Sequence, residues 1–189
     1  TNAQSRAIEE AFIQRGFPYT IIGGTRFYQR KEVKDILGYI LYVLNPRDFI
    51  SLKRIINVPP RGIGSRSFLA YASAENRGWR ERLTQKMIRP LEQFEGRIED
   101  MRARIREQKT ADFIKYALTA LQYREYLDDS STNAEDRWEN VQELVSIAKK
   151  YDELTPPTGC EKLLEEAALA ADTDTADETK GTIRLMTIH

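Results

Sequence analysis

The residues best suited to chemistry in this chain form one run, Arg61-Gly62-Ile63-Gly64-Ser65-Arg66-Ser67. Two glycines flank an apolar residue directly ahead of a segment with helical spacing. Glycine lets a backbone approach a ligand with no Cβ in the way. A helix start offers amides with no partner inside the helix and about half a positive charge. Ser65 and Ser67 add hydroxyl donors, and Arg61 and Arg66 add charge. Such a set holds a backbone phosphate of a nucleic acid without reading its sequence, in the manner of a helix–hairpin–helix. A short preceding helix carrying Lys53 and Arg54 would be the hairpin's other arm. The same residues also suit a ligand-free connection between two helices. A second run, Gly23-Gly24-Thr25-Arg26-Phe27-Tyr28, reads more simply as a turn between a strand and a helix.

Covalent and hydrolytic chemistry finds no footing. There is no Gly-x-x-x-x-Gly-Lys-Ser/Thr phosphate loop, no nucleophile elbow and no zinc motif. Cys160 is the sole cysteine and His189 the sole histidine, so the chain can build neither an internal disulfide nor a multi-cysteine metal site. Asp128-Asp129 and Glu165-Glu166 are adjacent acids. Neighbours on a helix point in different directions, so these read as exposed charge. We therefore expect no catalytic residue, no metal and no cofactor in the chain itself. One thiol fits a reducing, cytoplasmic setting. No run of 18 or more apolar residues is present, so no membrane span is expected, and no basic-then-apolar leader opens the chain. It begins on Thr1-Asn2 without Met and stops on His189, which suggests a piece cut from a longer protein.

Formal net charge is zero, yet the charge is unevenly spread. Residues 1–110 hold 21 Lys/Arg against 12 Asp/Glu, and residues 111–189 hold 8 against 17. Such asymmetry hints at a polyanion-binding face, unless folding interleaves the halves and cancels the field.

These residues need elements to position them. Thr1 to Arg15 reads as a helix stopped by Gly16, and Tyr19–Ile22 as a short β-branched strand ended by Gly23-Gly24. Arg30 to Asn45 carries an apolar stripe of Val33, Ile36, Leu37, Ile40, Leu41 and Leu44. Asp48 is placed to cap a short helix with Leu52, Ile55 and Ile56, which Pro59-Pro60 ends. Ser65 opens the next helix. From Trp79 to Gln108 the chain is helical and highly charged, with a break expected near Arg89-Pro90. Thr110 is a plausible cap for a helix to about Ala120. Asp128 to Asn133 reads as a polar loop, Ala134 to Leu154 as a helix, and Cys160 to Ala171 as the last helix. Residues 172–180 have a linker composition that suits a hinge, and Thr182 to Ile188 alternates like a strand. The expectation is a mainly α fold: a helical body held between two short β-strand segments that lie close together, as in a domain inserted into another domain's loop.

Taken in order, these segments resemble the UvrD/PcrA/Rep family of superfamily 1 DNA helicases. The likeness rests on Thr1-Asn2-Ala3-Gln4-Ser5-Arg6 with Glu9-Glu10, on Pro18-Tyr19 followed by Gly23-Gly24, Phe27-Tyr28 and Glu32-Val33-Lys34-Asp35, and on Ile56-Asn57-Val58-Pro59-Pro60-Arg61-Gly62-Ile63-Gly64. It continues in Arg137-Trp138-Glu139-Asn140-Val141-Gln142-Glu143-Leu144 and in Leu185-Met186-Thr187-Ile188-His189. The resemblance implies a division into residues 1–29 and 179–189, pieces of the second RecA-like motor domain (2A), and 30–178, a helical 2B subdomain inserted in it.

What it implies of function is a duplex- and junction-binding, swivelling subdomain of an ATP-dependent 3′–5′ DNA helicase serving repair or replication. ATP and Mg2+ would belong to the parent's motor. Partners would be DNA, bound without sequence preference, other helicase domains and repair proteins. The alternative is an autoinhibitory or protein-interaction module that regulates the motor. By the family pattern Asn2 and His189 touch the single strand, while Lys34, Gly62, Ile63, Gly64 and Ser67 lie on the duplex-binding face. Arg61, Ser65 and Arg66 join them from the reading of the residues. Leu41 departs from the pattern, standing where some members carry a duplex-holding arginine.

Overall fold

The computed structural model describes residues 11–12, 15, 19–22, 27–73, 78–130, 132–172 and 183–186, with the backbone alone at 19–22, 130, 171–172 and 183–186. In chain order the elements are β1 (Tyr19–Ile22), α1 (Lys31–Leu44), α2 (Phe49–Ile55), α3 (Ser65–Ala72), α4 (Gln85–Arg104), α5 (Thr110–Ala120), α6 (Tyr123–Ser130), α7 (Ala134–Ala148), α8 (Thr158–Asp172) and β2 (Ile183–Met186). Single 3-10 turns sit at Phe27–Gln29, Arg80–Arg82 and Lys149–Tyr151. The fold is mainly α. β1 and β2 pair in parallel, with Tyr19 opposite Ile183 and Ile22 opposite Met186. The expected helix over 1–15 and the 172–180 linker fall almost wholly outside the described residues.

Helix α1 is the axis of the body. It packs against α2, α4, α7 and α8. A one-sided stripe was the expectation, but Val33, Ile36, Leu37, Tyr39, Ile40, Tyr42 and Val43 are all buried, as are Glu32 and Asp35. Only a narrow face through Lys31, Lys34, Leu41 and Leu44 stays partly open, so most of the helix lies in the core. Leu41, expected in the stripe, is instead exposed.

The buried acids of α1 are answered individually, because an unpaired buried charge is costly. Asp35 takes Arg54 Nη1 from α2 at 2.9 Å and the Tyr123 hydroxyl from α6 at 3.3 Å. Burial raises the Asp35 pKa, with the Arg54 and Tyr123 hydrogen bonds and nearby positive charge pulling the other way. Glu32 takes Asn140 Nδ2 at 2.7 Å and Arg137 Nε at 3.1 Å, both from α7. Arg137 and Asn140 stand three residues apart, so one face of α7 presents both to α1. They are the polar pair in the Arg137–Leu144 segment singled out above, and here they lock two helices together.

Several expectations are corrected. No break occurs at Pro90, which lies inside α4. The helix begins only at Gln85, so the missing Pro90 amide frees just the Lys86 carbonyl, on an exposed residue. Trp79, at the head of the charged segment, is buried against Tyr71. Beneath α4's charges Ile88, Leu91, Phe94, Ile98 and Met101 recur at helical spacing and are buried, each contributing about 1.5–3 kcal/mol. Residues 128–130 are the end of α6 and not a loop. Thr110 is not a cap but the first residue of α5, and the amide of Ala111 donates to Asp152 Oδ1 at 2.9 Å from 41 residues away. Glu166 is not simply exposed charge, since Tyr28 and Tyr151 both donate to its carboxylate. Where α8 meets α5, a Cβ on Gly159 would lie 2.0 Å from Thr110 Oγ1, so only glycine allows that approach.

Candidate nucleic-acid interface

Helices α2 and α3 form the expected hairpin. Asp48 caps α2, accepting from the amides of Ile50 at 3.0 Å and Ser51 at 3.1 Å. Burial works against the charged carboxylate. The Ser51 hydroxyl and these two amides outweigh it and hold the Asp48 pKa below its ordinary value. The connection 56–64 then turns back through Val58-Pro59-Pro60, with the first of these peptide bonds cis.

The bend itself is half pinned and half open. Ile63 is buried and both its backbone groups are taken by Asn57. Its amide donates to Oδ1 at 3.1 Å, and its carbonyl accepts from Nδ2 at 2.7 Å. Gly62 and Gly64, on either side, are exposed. Gly62 has φ +69°, a left-handed conformation that glycine adopts without strain. Gly64 differs. Its φ of −74° and ψ of 167° suit any residue, and a Cβ there would meet nothing within 4 Å among the described residues. Neither backbone strain nor packing inside the fold explains the missing side chain.

Gly64 is also the N-cap of α3. No side chain caps that helix, and its first turn holds no acidic residue. Among the described residues the amides of Ser65, Arg66 and Ser67 have no acceptor, and the first of the helix's own bonds here runs from Phe68 to the Gly64 carbonyl at 2.9 Å. These are the open donors of a helix start, at its positive end.

The side chains divide in a way their types alone do not show. Arg66 and Ser65 are exposed beside the open amides, as is Lys53 on α2, while Lys34 on α1 is half-buried. Ser67 is buried. Arg61 turns inward: Nη1 donates to the carbonyls of Ile55 at 3.0 Å and Ile56 at 2.9 Å, and Nη2 to the Tyr39 hydroxyl at 2.7 Å. Its guanidinium also lies over the Phe94 ring, 5.3 Å from the centroid. Burial pushes the Tyr39 hydroxyl up to about 12, against the pull of Arg61. It therefore stays protonated at neutral pH and donates onward to the Val58 carbonyl. Asn2 and His189 lie outside the described residues, so the structure brings together Arg61 to Ser67 but not the expected single-strand contacts.

Two features went unread in the sequence. Asn57 is one, and its position six residues ahead of the buried Ile63 was the available signal. The other is a cleft of about 730 Å³ beside the bend, lined by Pro60, Arg61 and Arg97 on one side and Gln122, Glu125 and Asp129 on another. Two arginines and two acids line it, so its lining has no formal net charge. Among the described residues no group of three or more His, Cys, Asp or Glu could hold a metal ion, and no helix is long and apolar enough to cross a membrane.

A mainly helical body whose glycine-flanked hairpin presents a bare helix start is the class of structure these observations define. The full chain, residues 1–189, matches the family described as UvrD-like helicase C-terminal domain, and the protein belongs to that family. It is 37% identical over 207 residues to a protein named ATP-dependent DNA helicase PcrA from Staphylococcus epidermidis strain ATCC 35984. It is likewise 37% identical over 210 residues to the protein of that name from Staphylococcus aureus strain NCTC 8325. In both cases all of this chain is covered but only 28% of the relative, so the chain spans under a third of these relatives' length.

Proposed function

We propose that this chain is the duplex- and junction-binding subdomain of an ATP-dependent 3′–5′ DNA helicase, and that the start of α3 is where it grips the DNA backbone. On this reading residues 30–178 form a swivelling 2B-type body. Residues 1–29 and 179–189 belong to the second motor domain, and Asn2 and His189 contact its single strand. The parallel pairing of β1 with β2 supports such an insertion, since it brings the two ends of the helical body together. ATP and Mg2+ would belong to the motor of the longer protein.

The observation that carries the reading is Gly64, bare of a side chain where the fold gives no reason for it, at the head of three amides with no acceptor. A phosphate oxygen fits both facts. It needs close approach, and it takes hydrogen bonds from amides at the positive end of a helix. Ser65 and Arg66 flank it, and Lys53 and Lys34 stand on the neighbouring helices of the hairpin. No base-reading arrangement is involved, so binding is independent of sequence.

The test is affinity for a duplex with a 3′ single-stranded tail as salt is raised. Each phosphate neutralised adds about 0.9 to the slope of log affinity against log salt. A steep fall is expected, and a flat response excludes phosphate as the ligand. A second reading, a protein-docking module that regulates the motor, draws on exposed Phe49, Ile50 and Leu69 on the same hairpin. A bulky residue at position 64 separates the two. Lost junction binding with intact partner binding supports the DNA reading, and the reverse supports docking.

A further inference from the structure

We propose that Asn57 is a positioning residue for DNA binding, a side chain that touches no DNA but holds the bend in the shape that aims the α3 amides outward. The inference rests on the DNA-binding reading above. A carboxamide carries an amino donor and a carbonyl acceptor side by side on a single plane. Asn57 spends both on one residue, Ile63, as a neighbouring strand would: Nδ2 to the carbonyl at 2.7 Å, Oδ1 from the amide at 3.1 Å. The same Oδ1 accepts from the Arg61 amide at 3.4 Å. Aspartate would lack the donor, and alanine would lack both.

The pin matters because of what surrounds it. Gly62 and Gly64 are the most permissive residues for a chain to turn on, and ordering them costs more entropy than ordering any others. Unpinned, the bend would sample shapes in which the amides of Gly64 to Ser67 diverge. Asn57 fixes the residue between the two glycines, and burial of the Ile63 side chain sets which way the turn faces. A second anchor works from the other end. Arg61 ties the bend to the last carbonyls of α2 and to the Tyr39 hydroxyl, and Tyr39 bonds back to Val58. Binding to a bend already in its bound shape avoids the ordering cost at the moment of association.

The experiment compares the full chain with Asn57→Ala, Tyr39→Phe and, as a control, Ile114→Val, which trims a buried residue of α5 outside the hairpin. A 3′-tailed duplex is titrated by fluorescence anisotropy at several salt concentrations, and amide exchange is followed at Ile63. Asn57→Ala should speed Ile63 exchange, weaken duplex binding about tenfold and flatten the salt slope, because fewer phosphates are held at once. Tyr39→Phe should act in the same direction, and Ile114→Val should leave affinity and slope unchanged. If Asn57→Ala frees the Ile63 amide yet binds as the parent does, this proposal fails while the DNA reading stands. Equal losses in Asn57→Ala and Ile114→Val defeat it too, as general destabilisation. Should Asn57→Ala not fold, Tyr39→Phe decides by the same two readouts. A parent chain whose binding ignores salt removes the DNA reading and this proposal together.

Discussion

At the scale of single residues, the two glycines of the bend do different work. Gly62 is required by its φ of +69°, which costs a side-chain-bearing residue about 1–2 kcal/mol. Gly64 has ordinary angles and open space around it, so its substitution should separate folding from binding. Gly64→Asn supplies a preferred N-cap whose oxygen takes the second or third amide of the helix. Thermal stability should hold or rise, while affinity for a tailed duplex falls about tenfold, because those amides are then occupied and the approach is blocked. Calorimetry beside a binding isotherm checks both signs. The run Arg61 to Ser67 was legible as a glycine-flanked bend before a helix from residue types, but the direction of each side chain was not. Arg61 reads as surface charge in a list of letters. In the fold it faces three oxygens and an aromatic ring, the carbonyls of Ile55 and Ile56, the Tyr39 hydroxyl and the Phe94 ring.

At the scale of elements, strong local signals carried well and distant partners did not. The strand at Tyr19–Ile22, the helices α1, α2, α7 and α8 and the turn before α3 follow from apolar spacing, Asp48 and the prolines. Helix α6 escaped because Tyr123–Ser130 is short and half charged, and its helicity comes from burying Tyr123 and Leu127 against the rest of the body. The cap of α5 escaped because Asp152 arrives from 41 residues away. Asp48 is the local kind, and its removal is a test of the hairpin. Asp48→Ala should cost about 1 kcal/mol at neutral pH by loss of the α2 cap. The folded-state pKa of Asp48 is depressed, so its contribution is fully present above the ordinary value of 3.8. It is lost as pH falls through the lower folded value. The stability gap between the two proteins should therefore narrow only in acid below 3.8, which urea titrations across pH can follow.

At the scale of the whole molecule, the described residues form a mainly helical body around α1, and the short strands β1 and β2 pair in parallel. The mainly α character was legible from the run of apolar stripes at helical spacing. Where folding puts the cations was not legible, because charge counts along a chain carry no positions in space. The account places the grip at one small patch, the helix start of α3, within a surface that carries many other cations. A titration of the isotopically labelled protein with a short 3′-tailed duplex, read at every assigned backbone amide, tests that placement most directly. The account predicts that the amides of Gly64, Ser65, Arg66 and Ser67 shift first and furthest, and that added salt reverses the shifts. Shifts confined to other surfaces, with those four amides unmoved at saturation, would contradict it.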